Sequence, residues 1–139
     1  MKDLPVSERP MIFTDLETST GYKDKLHLNP ATEELIPYCE IIEVGALKVD
    51  PRTLTVLDTF DFKAAMDHPD RMEPMAIKVN GYNEKDWENA PTLRQALALY
   101  NSWAENGIFW GDTPSFDFTL LEIAWSTFGM EHPVHRKPR

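Results

Sequence analysis

The stretch Met11-Ile12-Phe13-Thr14-Asp15-Leu16-Glu17-Thr18 decides how this chain is read. It opens on the apolar run Met11-Ile12-Phe13, so it reads as a strand over about residues 10–17. Strand side chains alternate between faces, which puts Asp15 and Glu17 on one side, roughly 6.5–7 Å apart along the backbone. Two carboxylates aimed at one spot repel, by roughly 4 kcal/mol at 4 Å in a near-surface dielectric. A chain can tolerate that by raising a pKa or by holding a hard divalent cation between the acids. All-oxygen ligation of this kind suits Mg²⁺ or Mn²⁺.

Working outward, Ile41-Ile42-Glu43-Val44-Gly45-Ala46 lies in a second strand over about 40–50, and Asp50-Pro51-Arg52 turns into a third over about 53–63. That pair reads as an antiparallel hairpin. Residues 64–74 form a connection, and a short helix over about 74–80 ends at Asn80-Gly81. Thr92 caps a helix over about 92–106 with Leu93, Ala96, Leu97, Tyr100 and Trp103-Ala104 on one face. Ile108-Phe109-Trp110 reads as a buried parallel strand. The last helix, about 116–129, buries Phe118, Leu121, Trp125 and Phe128. Residues 19–38 mix Gly21, Pro30, Pro37 and charges without a period, and read as a long inserted loop. The order predicts one α/β domain over residues 1–139, with a sheet that mixes antiparallel and parallel pairs.

Four stretches, in order, resemble the DEDD (DnaQ-like) 3′–5′ exonucleases. Phe13-Thr14-Asp15-Leu16-Glu17-Thr18 is similar to the first motif, and Ile41 to Ala46 to the second strand. Val79-Asn80-Gly81-Tyr82 is similar to the segment after the first hairpin. Gly111-Asp112-Thr113-Pro114-Ser115-Phe116-Asp117 is similar to the motif in which a strand hands the third acid to a helix. The resemblance spans about Pro10 to Gly129 and implies an RNase H-like fold, a mixed sheet flanked by helices. It implies two divalent cations, Mg²⁺ or Mn²⁺, held by Asp15, Glu17 and Asp117 as catalytic residues. It also implies that Leu16 and Thr18 meet the terminal nucleotide, through backbone and an apolar wedge. Asn80, Gly81 and Tyr82 would line the same pocket, and Phe116 could stack on a base. The family's fourth Asp, with its His or Tyr, has no counterpart, because none of the 22 residues after Asp117 is Asp. The chain is therefore expected to stop before the family's last motif. His135 is set aside as the missing His, because the helix after Asp117 should lead away from the acids.

Composition bounds the rest. A hydrophobic fraction of 42%, with four Trp and seven Phe, marks a globular domain with a real core. Twenty-three acids against 14 Lys and Arg give a net charge of −9, which argues against a broad basic nucleic-acid surface. It does not argue against a site that grips a few nucleotides through cations. A lone Cys39 allows no internal disulfide and reads as an inert thiol. No leader-like or membrane-spanning run is evident, and a cytoplasmic location with no membrane partner is expected. Glu43 reads as a solvated or edge acid, and the basic tail from His132 to Arg139 as solvated chain. The substrate expected is the 3′ end of single-stranded DNA or RNA, or nucleotides. Two other functions fit the same residues: an inactive nucleic-acid-binding or protein-docking module, and a proofreading subunit working with a polymerase or other replication partner.

Overall fold

A computed structural model describes residues 4–20, 26–28, 33, 35–37, 39–110, 114–133 and 135–136, with the backbone alone at 26–28, 35–37, 114–116 and 135–136. Strands β1 (Met11–Thr18), β4 (Ile41–Val49) and β5 (Val56–Lys63) form the expected antiparallel set. Strands β6 (Ile108–Trp110) and β7 (His135–Arg136) add in parallel on the other side of β1. The sheet order is β5-β4-β1-β6-β7, so β1 is central. This is the RNase H-like mixed sheet that the motifs imply. Asp50 sets the β4–β5 turn: its carboxylate accepts from Arg52 N at 2.8 Å, and its backbone exchanges hydrogen bonds with Leu54 and Thr55.

Two helices cover one face of the sheet. Helix α3 (Leu93–Ala104) opens on a capping box, with Thr92 Oγ1 accepting from Gln95 N and Gln95 Oε1 from Thr92 N. It buries Ala96, Leu97, Tyr100 and Ala104. Helix α4 (Pro114–Phe128) buries Phe118, Leu121 and Trp125, while Phe128 packs at the edge. These meet Ile12, Leu16, Val44, Ala46 and Phe60 in one core. Thr14, buried on the same face of β1, shares a 2.8 Å hydrogen bond with the Tyr100 hydroxyl. That bond satisfies two polar groups that would otherwise be costly inside.

Three sequence expectations change. Within 19–38, Leu26–Leu28 (β2) and Leu35–Pro37 (β3) pair as a small antiparallel ribbon, so part of that stretch is not loop. Glycine and proline nearby hid strands of only three residues. The tail is not wholly solvated chain, because His135 and Arg136 pair with Ile108 and Phe109. A short helix α2 (Glu84–Trp87), capped by Asn83, follows α1 (Pro74–Asn80), where no helix was expected. Among the described residues no helix is long and apolar enough to cross a membrane.

Gly107 lies where α3 ends against β1. A Cβ there would overlap Ile12 Cγ1 and come within 2.9 Å of Ile12 Cδ1. Gly107→Ala is expected to cost about 1–3 kcal/mol, the range for overpacking. Urea denaturation checks this, and an unchanged midpoint would contradict the packing described.

Candidate active site

The pleat of β1 sorts its side chains. Ile12, Thr14 and Leu16 are buried under the helices, while Phe13, Asp15 and Glu17 face the other way. Pairing extends that second face across the sheet. Asp15 lies opposite Gly45, which lies opposite Asp61; Glu17 lies opposite Glu43, which lies opposite Lys63. A groove of about 500 Å³ runs here, with Asp15, Glu17, Glu43 and Asp61 in its walls. The register slips between Glu17 and Thr18, a bulge beside the acids after which Thr18 pairs with Ile41. Ile42, the extra residue, has its carbonyl satisfied by Trp87 Nε1 at 2.9 Å and Ala64 N at 2.8 Å.

Asp117 sits in the first turn of α4 and is buried, at 7% exposure. Its charge reaches Glu17. Burial first, then the charges of Asp15 and Asp117, push the Glu17 carboxyl above its ordinary value. The three acids are thus electrostatic neighbours drawn from β1 and α4. Their donor chemistry, hard oxygen throughout, fits Mg²⁺ or Mn²⁺. Among the described residues, no three His, Cys, Asp or Glu side chains already form a metal cage.

The remaining predicted residues separate. Leu16 packs its side chain into the core, so its backbone, not an apolar wedge, is what a nucleotide could meet. Asn80 ties helix α1 to the strand end: its Nδ2 donates to Thr18 O at 3.0 Å, and its Oδ1 accepts from Tyr82 N at 2.8 Å. Gly81 caps α1 at φ +71°, in the left-handed region that favours glycine. Tyr82 turns to Trp87, ring centroids 4.9 Å apart. Glu17, Thr18 and Asn80 share a smaller cavity of about 230 Å³. The Phe116 side chain and residues 111–113 lie outside the described residues.

Glu43 is the residue that sequence reasoning undervalued. It is half-buried, sits 3.6 Å from Lys63 Nζ and faces Glu17. Burial, a hydrogen bond with Asp61 and the charge of Asp61 raise its carboxyl, against the lowering effect of Lys63. Counting back from the Asp50 turn pairs it with Lys63, while its place opposite Glu17 depends on the β1–β4 register. His135 is held away from this site: its backbone is in register with Ile108, and Ile108 with Met11. Met11 is four residues along β1 from Asp15, about 13 Å.

The family model described as Exonuclease (RNase_T) matches residues 12–138. The chain belongs to this DEDD exonuclease family. Solved structures share its fold. The nuclease domain of 3′hExo, a DEDDh family member solved bound to rAMP, superposes with a TM-score of 0.64 at 18% identity, over 91% of this chain and 62% of that one. Cell-death related nuclease 4 (CRN-4) gives 0.66 at 12% identity, over 89% and 42%. E. coli exonuclease I in complex with a dT13 oligonucleotide gives 0.62 at 13% identity, over 93% and 27%. This chain therefore spans from 27% to 62% of the length of those three. No curated protein sequence is significantly similar to it.

A carboxyl raised in the folded chain keeps a proton that the unfolded chain loses first. The stability it lends is complete below the ordinary value of 4.5 and is lost as pH rises through the raised value. Glu17→Gln cannot ionise. It is expected to raise Tm by a few degrees at pH 7 and to leave it nearly unchanged at pH 4. Thermal unfolding followed by circular dichroism checks this; a lower Tm at pH 7 would contradict the electrostatics of the site.

Proposed function

We propose that this chain is a metal-dependent 3′–5′ exonuclease domain that hydrolyses phosphodiester bonds at the 3′ end of single-stranded DNA or RNA. One observation carries the reading. Burial and then the charges of Asp15 and Asp117 act on Glu17, which supports a shared site for the family's acids at one end of β1. Asp15, exposed on the open face, would hold the cations together with Glu17 and Asp117. Bound Mg²⁺ or Mn²⁺ would supply an activated water and stabilise the leaving 3′ oxygen. The chain's own residues bind and orient. Thr18 and Asn80 border the cavity beside Glu17 and would meet part of the terminal nucleotide there. The Leu16 backbone fixes the strand end beneath it.

Net charge of −9 leaves little long-range attraction for a polyanion, so cations at the acids carry the electrostatic grip on substrate. Three acids instead of the four implied by the resemblance predict slow turnover by the 139-residue chain.

The test is degradation of a 5′-labelled single-stranded oligonucleotide in Mg²⁺ or Mn²⁺. A ladder shortening from the 3′ end is expected. Asp15→Asn and Asp117→Asn should each reduce it at least ~100-fold, the scale for loss of one preorganised electrostatic group. A folded chain that cuts nothing, or cuts equally well with both substitutions, would contradict the proposal.

A further inference from the structure

One cation stands among the acids of the open face. Of the strand residues whose side chains are described, the charged ones there are Asp15, Glu17, Glu43, Asp61 and Lys63. Lys48 turns to the helix side, where its Nζ donates to Trp103 O at 2.6 Å. Glu17, Glu43 and Lys63 lie in one row across β1, β4 and β5. Neighbouring strands are about 4.8 Å apart, so the Lys63 backbone is about 10 Å from that of Glu17.

The Lys63 ammonium is held in place without being spent. Its Nζ is 3.6 Å from Glu43 Oε1, beyond hydrogen-bond length, and 4.8 Å from the centre of the Trp87 ring. Both contacts are electrostatic, and among the described residues Lys63 makes no hydrogen bond, so its three N–H donors stay open. The side chain keeps 34% of its surface exposed. Trp87 beneath it is fixed, buried and donating Nε1 to Ile42 O at 2.9 Å. A positioned cation with open donors is preorganised for an anionic oxygen ligand.

A single strand with its 3′ end at the acids must carry its next phosphate past Glu43 or Asp61, which repel it. Lys63 attracts it. A continuous rim also joins Lys63 to the cavity of Glu17, Thr18 and Asn80. Asn80 Oδ1 accepts from Tyr82 N, the Tyr82 and Trp87 rings lie 4.9 Å apart, and Trp87 carries the ammonium. We infer that Lys63 binds the phosphate immediately 5′ of the scissile one and so fixes where the single strand leaves the acid site. The inference rests on the exonuclease reading and adds a substrate-binding residue to it. A point charge on a phosphate reads neither base nor sugar, so Lys63 contributes affinity and register.

The test uses a 5′-fluorescein-labelled single-stranded oligonucleotide, as DNA and as RNA. Binding is read by anisotropy in Ca²⁺ over a KCl series, and degradation in Mg²⁺. Lys63→Gln should weaken binding about tenfold, the scale of one hydrogen bond to a charged group. It should also flatten the dependence of log Kd on the log of KCl concentration by about 0.7, the share of one phosphate on a single strand. KM should rise about tenfold while kcat changes by less than about twofold. Lys63→Arg keeps the charge and should restore all three. A neutral methylphosphonate in place of the phosphate 5′ of the scissile one should weaken wild-type binding as Lys63→Gln does, and weaken Lys63→Gln little further. Wild-type binding that ignores the methylphosphonate would overturn the inference without any variant. So would an unchanged Kd and salt dependence in Lys63→Gln, or a fall in kcat at constant KM, the mark of an effect through Glu43 on the acids. In each of these cases degradation by the wild type leaves the exonuclease standing. No degradation of either DNA or RNA removes the exonuclease reading, and the inference with it.

Discussion

The alternation of side chains along β1 is the constraint on which the rest depends. One strand must bury Ile12, Thr14 and Leu16 and present Asp15 and Glu17 to the opposite face. The apolar half anchors the strand at the centre of the sheet. The acidic half can then be held close together, because the core, not the acids, fixes the backbone. A slip of one residue would exchange the two faces and bury both carboxylates. The Thr14–Tyr100 hydrogen bond and the tight approach of Gly107 to Ile12 both resist such a slip.

From that anchor the site is assembled from three directions. Strand β4 brings Glu43 opposite Glu17, and the bulge after Glu17 shifts the register beside the acids before pairing resumes at Thr18 and Ile41. The parallel pairing of β6 with β1 aims the chain so that α4 opens with Asp117 near Glu17. Helix α1 closes the far side through Glu73 N and Asn80 Nδ2. Burial first, and neighbouring acids after it, raise the Glu17 and Glu43 carboxyls. The fold holds an acid-rich groove at some cost to its own stability, which a bound cation would offset.

Much of this was legible in the sequence where period or cap chemistry is strong. The run Met11 to Thr18, the Asp50 turn, the Thr92 cap with its apolar stripe, and the α4 stripe through Trp125 each have one dominant reading. Asp15 and Glu17 stood out by sharing one face of a strand, and Asp117 by the resemblance of its motif to the family's. What escaped depends on register or on tertiary contact. Glu43 looked like an edge acid until pairing placed it opposite Glu17. Leu16 looked free to touch substrate until the helices covered it. His135 and Arg136 join the sheet only because β6 offers them an edge.

The central claim is that Asp15, Glu17 and Asp117 form one cation site. The most direct measurement is the anomalous difference map of a crystal of this chain soaked in Mn²⁺. The account predicts a manganese peak within coordination distance of Asp15, with Glu17 or Asp117 as a further ligand. A map with manganese bound elsewhere and none at Asp15 would contradict it.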